Sequence, residues 1–185
     1  GKCGEDPFCS ASLHPVSVLL KGGCTMAIEI ERKFLVRNDG WKRDADSGTL
    51  YIQGYLCSEK NRAIRIRTAG RQAFISLKLA TSARVRKEYE YEIPFGDAEE
   101  IMKIFSNRPP VEKTRYKLRY RDHLWEIDVF CGENEGLTLA EIELTDEHEK
   151  FECPDWLGAE VTDDGRYVNA ALYLRPFKSW NLEVS

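Results

Sequence analysis

The chain has 185 residues, of which 42% are hydrophobic and 31% charged, and its formal net charge is −4. This size and composition predict one soluble globular domain with a sizeable core. The acidic balance argues against broad nucleic-acid binding, which normally requires a basic domain. No apolar run approaches the roughly 20 residues that span a bilayer, so we expect no membrane partner.

The first 25 residues differ from the rest of the chain. Gly, Ser, Cys and Pro dominate them, and the apolar stretch 16–20 is shorter than a signal-peptide core of ~7–15 residues. We expect residues 1–25 to be a poorly ordered extension and residues 26–185 to form the domain. The six cysteines include no CxxC pair, which favours reduced thiols and a cytoplasmic location.

Alternation with a period of two predicts eight strands after Met26, separated by turn signals rich in Gly, Pro and Asn. The predicted strands cover residues 27–36, 51–58, 62–69, 72–79, 86–94, 111–120, 123–130 and 138–144. Asp97, followed by Glu100, resembles a capping box at the start of a helix. Two more short helices are predicted over residues 145–151 and 166–174.

Charged residues recur in pairs two positions apart along these strands. Side chains of a strand point alternately to opposite faces, so the members of a pair share one face and lie roughly 6.6 Å apart. Two carboxylates at that separation repel by about 2.5 kcal/mol at an effective dielectric near 20. The pairs are Glu29 and Glu31, Arg65 and Arg67, Glu88 and Glu90, Lys113 and Arg115, Glu126 and Asp128, and Glu141 and Glu143.

These charged faces favour a barrel over a sandwich. A dry sandwich core would leave paired charges buried at high cost, whereas a barrel directs them into a hydrated lumen. We therefore predict an α+β, mainly β fold, built on a closed antiparallel β-barrel with a few flanking helices.

Segregated clusters of both signs suit a ternary assembly of protein, metal and phosphate. Carboxylates bind a divalent cation, the cation binds phosphate, and Arg or Lys binds the remaining phosphate oxygens. Any one pair alone is better explained as a solvated strand face. Several pairs of consistent parity favour a site. Glu88 and Glu90 are the weakest pair, because Glu92 continues the alternation and their strand could simply be exposed.

The segment EIERKF, which contains Glu29, Glu31 and Lys33, matches the ExExK signature of the CYTH, or triphosphate tunnel metalloenzyme, superfamily. The resemblance continues in order through QGYL, IRIR, SLK, KEYE, KTRY, WEIDVF and AEIEL, and is strongest to short bacterial inorganic triphosphatases. It implies an eight-stranded antiparallel tunnel that binds a triphosphate together with Mg²⁺ or Mn²⁺.

The resemblance also implies roles for individual residues. The implied metal ligands are Glu29, Glu31, Asp128, Glu141 and Glu143. The implied phosphate-binding residues are Lys33, Arg65, Arg67, Lys78, Lys113 and Arg115, and of these Lys33 and Lys113 are also counted as catalytic. Glu88 and Glu90 are candidates for a second metal that activates water. Tyr55 is expected to orient a phosphate or that water, or equally to be an aromatic residue of the tunnel wall.

We predict metal-dependent hydrolysis of the terminal phosphoanhydride of a small linear triphosphate, with inorganic tripolyphosphate as the substrate. Three alternatives remain open: a class IV adenylate cyclase, a thiamine triphosphatase, and a non-catalytic polyphosphate- or nucleotide-binding module. The expected partner is the small-molecule triphosphate, and a homodimer is an open expectation.

Overall fold

The computed structural model describes residues 18–20, 24–26, 30–59, 62–80, 86–146 and 148–183. The strands are β1 (Val18–Leu20), β2 (Cys24–Met26), β3 (Ile30–Val36), β4 (Thr49–Ser58), β5 (Arg62–Ala69), β6 (Gln72–Ala80), β7 (Arg86–Glu92), β8 (Val111–Tyr120), β9 (His123–Phe130), β10 (Thr138–Leu144) and β11 (Leu157–Glu160). The helices are α1 (Phe95–Phe105), α2 (Asn169–Leu174) and the 3₁₀ turns Asp39–Arg43, Gly132–Asn134, Gly165–Tyr167 and Phe177–Glu183.

The main sheet is antiparallel and runs in the order β11-β3-β10-β9-β8-β4-β5-β6-β7. The mainly β prediction is confirmed, but closure into an eight-stranded barrel is not. Within the described residues the sheet has nine strands and two ends, and no pairing joins β7 to the opposite end. One physical reason is β11, a strand that the sequence analysis missed. It pairs with Phe34 and Val36 and so occupies part of the free edge of β3.

Part of the expected N-terminal extension is described. Strands β1 and β2 pair with each other in an antiparallel register that places Val18 opposite Met26. They form a two-stranded sheet separate from the main one. The other residues before Met26 lie outside the described part of the chain, so the domain boundary stays a prediction.

Helix α1 is confirmed, but its predicted capping box is wrong. The helix begins at Phe95, and Pro94 stands at the N-cap without any side-chain cap bond. Asp97 therefore lies inside the first turn, where its charge still interacts favourably with the helix dipole.

The predicted helix over residues 145–151 is wrong: the described residues there form bends, a turn and irregular backbone. The carboxylate of Glu149 accepts hydrogen bonds of 2.7 Å from both the backbone nitrogen and the hydroxyl of Thr145. It also lies 2.9 Å from Nε2 of His123. Such bonds offer the backbone an alternative to a helix.

The predicted helix over residues 166–174 is two shorter pieces. Val168, whose φ of −78° and ψ of 142° are extended, separates the turn Gly165–Tyr167 from α2.

The convex face of the sheet carries two apolar clusters. In one, Trp125 of β9 packs with Phe34 of β3 under Trp41 and Trp156, and all four residues are buried. In the other, α1 covers strands β4 to β6, with Ala98 packed near Ile66 and Ala73. This coverage fixes which face of each strand is left for the concave side.

The concave face is apolar at one end only. Short helix α2 covers that end, where Leu172 and Tyr173 pack on a cluster from the inner faces of the strands. The strand residues in this cluster are Tyr55, Val111, Phe130 and Leu139. Beyond them, the next inward-facing residues along each strand are polar or charged. Short helix α2 therefore closes one end of a polar depression.

Gly158 marks the closest approach of β11 to β3. A Cβ at this position would lie 2.8 Å from the carbonyl oxygen of Leu35, closer than non-bonded atoms tolerate. We expect Gly158→Ala to lower the free energy of unfolding by about 1–3 kcal/mol, measured by urea denaturation. Gly165→Ala is the control, because its Cβ would meet no atom within 4 Å. Equal midpoints for the two variants would contradict this packing.

None of the helices in the described part of the chain is long and apolar enough to cross a membrane.

Candidate functional site

A cavity of about 810 Å³ opens on the concave face of the sheet. Strands β3 to β8 and β10 contribute charged or polar side chains to its lining, and β9 contributes Glu126. The lining includes Glu31, Lys33, Tyr51, Gln53, Tyr55, Arg65, Arg67, Lys78, Glu88, Glu90, Lys113, Arg115, Glu126, Glu141 and Glu143. The sequence-predicted charges therefore meet around one space.

Strand register explains the arrangement of the carboxylates. Strands β3 and β10 pair so that Glu141 lies opposite Lys33 and Glu143 lies opposite Glu31. Glu141 also lies opposite Glu126 of β9. Directly opposed side chains are neighbours on the same face, so carboxylates from three strands lie close together, with Lys33 among them.

The first network of ion pairs consists of the charged residues on β3, β8, β9 and β10. Lys33 bridges two carboxylates, with its Nζ 2.7 Å from Glu31 and bonded also to Glu141. Arg115 donates to Glu126 and Glu141, and to both oxygens of Asp128 at 2.6 Å. The remaining member, Lys113, pairs with Asp128.

The pKa values of the two carboxylates that share Lys33 are shifted in opposite directions. Burial, reinforced by the nearby charge of Glu141, raises the pKa of Glu31 to about 7. Burial also opposes ionisation of Glu141, but Lys33, Lys113 and Arg115 outweigh it and hold the pKa of Glu141 well below its usual value. At neutral pH, Glu141 is ionised and Glu31 is poised between its two forms.

Asp128 is fully buried and does not line the cavity. Its two oxygens are occupied by Lys113 and Arg115, which stand between it and the cavity. The expectation that Asp128 binds metal is therefore not supported by its position. Glu126, two residues earlier, is the β9 carboxylate that reaches the cavity.

The second network lies on strands β5, β6 and β7. Arg65 contacts Glu88 at 3.2 Å and Glu90 at 3.4 Å, while Arg67 contacts Glu90 at 2.8 Å. Lys78 pairs with Glu88 at 2.7 Å. Burial opposes the ionisation of Glu88. The neighbouring cations, Lys78 first and then Arg65 and Arg67, outweigh burial and lower the pKa of Glu88.

Strand β4 separates the two networks with uncharged residues. The ring of Tyr51 lies 5.6 Å from the guanidinium of Arg67 and 5.5 Å from that of Arg115, one from each network. Gln53 is buried two positions further along. Next, Tyr55 packs at 5.2 Å on Tyr173 of α2, and burial raises its pKa.

The structure thus brings nearly all predicted site residues together. Besides Asp128, the exception is Glu29, which lies outside the described residues. Four residues that line the cavity or bond to its charged groups were given no role from the sequence: Tyr51, Gln53, Ser76 and Glu126, of which Glu126 was noted only as the pair of Asp128. Parity was the available signal, because each shares a strand face with a residue that was identified.

Oxygen ligands for a cation are present, although in an incomplete set. Among the described residues, no three acidic, His or Cys side chains form a group that could hold a metal ion by themselves. Glu31 and Glu141 nevertheless converge on one cation, the ammonium of Lys33. Carboxylate oxygens are the ligands that Mg²⁺ and Mn²⁺ prefer, so the chemistry of this pair fits such an ion.

The raised pKa of Glu31 predicts a pH-dependent effect of Glu31→Gln on the metal-free protein. The folded-state pKa, about 7, is above the ordinary pKa of a glutamate, so the stability contributed by the protonated form is lost as pH rises from that ordinary value to about 7. Gln resembles the protonated acid. Thermal unfolding in EDTA should therefore give nearly equal midpoints near pH 5 and a higher midpoint for the variant above pH 7. A variant destabilised at pH 8 would contradict the assignment.

The chain is similar to known proteins over most of its length. The profile of the CYTH domain matches residues 27–168. An inorganic triphosphatase of Acetivibrio thermocellus is 45% identical over 155 residues, which cover 84% of this chain and 99% of that protein. An inorganic triphosphatase of Nitrosomonas europaea is 38% identical over 154 residues, covering 79% of this chain and 97% of that protein.

Solved structures give the same relationship. The crystal structure of an inorganic triphosphatase that is 38% identical superimposes with a TM-score of 0.60 and covers 79% of this chain and 94% of that one. The extent of these matches leads to one conclusion: the chain belongs to the CYTH family.

Proposed function

We propose that this protein is a metal-dependent inorganic triphosphatase, which cleaves the terminal phosphoanhydride of tripolyphosphate to give pyrophosphate and phosphate. The observation that carries the proposal is the single cavity where cations and carboxylates of both networks meet. The 45% and 38% identical relatives are both inorganic triphosphatases, which supports the same reaction.

The charge of the cavity supports a metal requirement. Six carboxylates match six Lys and Arg residues in the two networks, so no net positive charge is left for a substrate. A linear triphosphate is strongly anionic, so the cations of the protein cannot neutralise it while they remain paired. Divalent cations that bind with the substrate would supply the missing positive charge.

Glu31 and Glu141 would hold this metal ion, with Glu143 beside Glu31 and with Glu29 as a further ligand implied by the signature. We propose Mg²⁺ or Mn²⁺, since both are bound through carboxylate and phosphate oxygens. When bound, the ion supplies Lewis-acid polarisation of a phosphoryl group and neutralises charge on it.

The cationic side chains would bind the phosphoryl oxygens. Each of them is paired with a carboxylate, so binding exchanges a carboxylate partner for a phosphate oxygen. This exchange keeps every guanidinium and ammonium group satisfied throughout. The groups concerned are Lys33, Arg65, Arg67, Lys78, Lys113 and Arg115, and those nearest the leaving pyrophosphate stabilise its developing charge.

Glu88 and Glu90 are proposed to orient the attacking water, directly or with a second cation. The burial of Tyr55 places its hydroxyl within the electrostatic influence of Arg65, Glu88 and Lys33. Tyr55 is therefore proposed to orient a phosphate between the networks. Arg65 and Glu88 belong to the second network and Lys33 to the first, so Tyr55 interacts with charged groups of both. We therefore also propose that the sheet closes into a tunnel around a bound substrate.

The aromatic residues of the cavity favour an inorganic substrate over a nucleotide. Tyr51 contacts two guanidinium groups and Tyr55 contacts Tyr173, so both rings are already engaged by groups of the protein. This observation disfavours the adenylate cyclase and thiamine triphosphatase alternatives. The cytoplasmic location and the homodimer stay predictions.

Phosphate release from tripolyphosphate, ATP and thiamine triphosphate, each with Mg²⁺ or Mn²⁺, tests the proposal. We expect the highest kcat/KM on tripolyphosphate, with pyrophosphate as the second product and no turnover in EDTA. Cyclic AMP from ATP would identify a cyclase. Metal-dependent binding of tripolyphosphate without phosphate release over hours would identify a non-catalytic binding module.

A further inference from the structure

Gln53 carries a buried amide nitrogen that has no hydrogen-bond partner. The residue exposes only 1% of its surface, lines the cavity, and its Nε2 is without an acceptor. An unpaired buried donor loses its hydration without compensation. Native proteins contain few such groups, and each one requires an explanation.

Two further unpaired donors lie on the neighbouring strand. The register of β4 and β5 places Gln53 opposite Arg67 and Tyr55 opposite Arg65. The Nη2 atoms of both arginines donate to Glu88, Glu90 or Ser76, but their buried Nε atoms have no partner. Three buried donors on β4 and β5 therefore lack an acceptor, as expected where a ligand with several acceptor oxygens binds.

Gln53 differs from the cavity cations in being available without exchange of partners. The cations form ion pairs with carboxylates, whereas an uncharged amide does not compete strongly for those carboxylates. Its neutrality also means that it orients an oxygen atom without changing the charge that the metal must balance.

We propose that Gln53 is a substrate-binding residue whose Nε2 donates a hydrogen bond to a phosphoryl oxygen held next to Arg67. This assignment rests on the proposed triphosphatase function, to which it adds a neutral donor between the two ion-pair networks. Gln53 would orient the phosphoryl group, because the amide hydrogen bond is directional whereas the Coulomb attraction of the charged groups is not.

The test is Gln53→Met, which keeps the length of the side chain and removes the donor. We expect kcat/KM for tripolyphosphate to fall by about 10- to 100-fold, the range for a hydrogen bond to a charged group. The thermal midpoint of the metal-free protein should be unchanged or higher, because an apolar group replaces an unpaired buried donor. A purely structural role predicts a lower midpoint instead.

Gln53→Glu sharpens the test because it changes only the chemistry of the head group. A carboxylate there would pair with Arg67 and repel phosphate, so we expect a larger loss of kcat/KM than for the Met variant. Ile52→Met is the matched control, since the adjacent residue of a strand points to the opposite face. It should retain the wild-type kcat/KM.

The outcomes separate this inference from the proposed function. Wild-type protein that neither binds nor hydrolyses tripolyphosphate would overturn the function and the inference together. An active wild type with a Gln53→Met variant within twofold of it would overturn the inference alone. A Gln53→Met variant with both kcat/KM and the thermal midpoint lowered would also overturn it, since the residue would then be structural.

Discussion

Glu31→Gln is expected to lower metal-dependent hydrolysis of tripolyphosphate by about 100- to 1,000-fold, because it removes one ligand of the proposed metal ion. Glu31 and Glu141 share Lys33 and lie on neighbouring paired strands, so the loss of either carboxylate removes half of this pair of ligands. The measurement is kcat and KM as a function of Mg²⁺ or Mn²⁺ concentration.

The Glu31 variant combines lost activity with retained or increased stability, and that combination is diagnostic. A residue important for folding would lose both. Glu100→Gln is the control, because Glu100 is exposed on α1, which packs on the face of the sheet opposite the cavity. If Glu31→Gln kept near-normal turnover at low metal concentration, the metal assignment would be wrong.

Asp128→Ala is expected to destabilise the protein by about 3–5 kcal/mol, because it leaves the buried ammonium of Lys113 without its counter-ion. The Asp128 carboxylate is completely buried, and it is the shared partner of Lys113 and Arg115. The pKa of Lys113 is lowered even with Asp128 present, because burial and then the neighbouring charge of Arg115 disfavour its charged form. Urea denaturation at neutral pH measures the loss.

Asp128→Asn keeps the shape of the side chain and is the second variant if the Ala variant does not fold. Together with Lys113→Met it completes a double-mutant cycle, in which we expect the double variant to be more stable than Asp128→Asn alone. Asp44→Ala, which breaks an exposed pair with Arg43, should leave the unfolding midpoint unchanged. A similar midpoint for Asp128→Ala would show that the buried network contributes little.

The strands were predictable because their alternation is strong and long. Strand β10, for example, alternates buried Ala140 and Ile142 with the inward-facing Glu141 and Glu143, and the parity alone assigns each side chain to a face. Strand β11 was missed because its four residues include a glycine and show too little alternation to be recognised. The helix over residues 145–151 was wrongly predicted because the hydrogen bonds of Glu149 to Thr145 are specific to the folded chain.

The sequence predicted which strand face each site residue lies on, but it did not predict which groups each residue contacts. Parity placed Asp128 with the other carboxylates, yet burial beneath Lys113 and Arg115 gives it a different environment. Parity places Gln53 on the same strand face as Tyr55, but it does not indicate that a neutral residue binds a ligand. Its unpaired amide became visible only after its neighbours were in place.

The amino-acid sequence by itself determined the strand faces, the order of the charged pairs and the resemblance to one family, since these depend on local spacing and residue type. Only the tertiary structure decided which cation pairs with which carboxylate, which charges reach the cavity, and whether the sheet closes. Those outcomes depend on register, curvature and burial. These properties arise between strands distant in the chain, where no local pattern carries information about them.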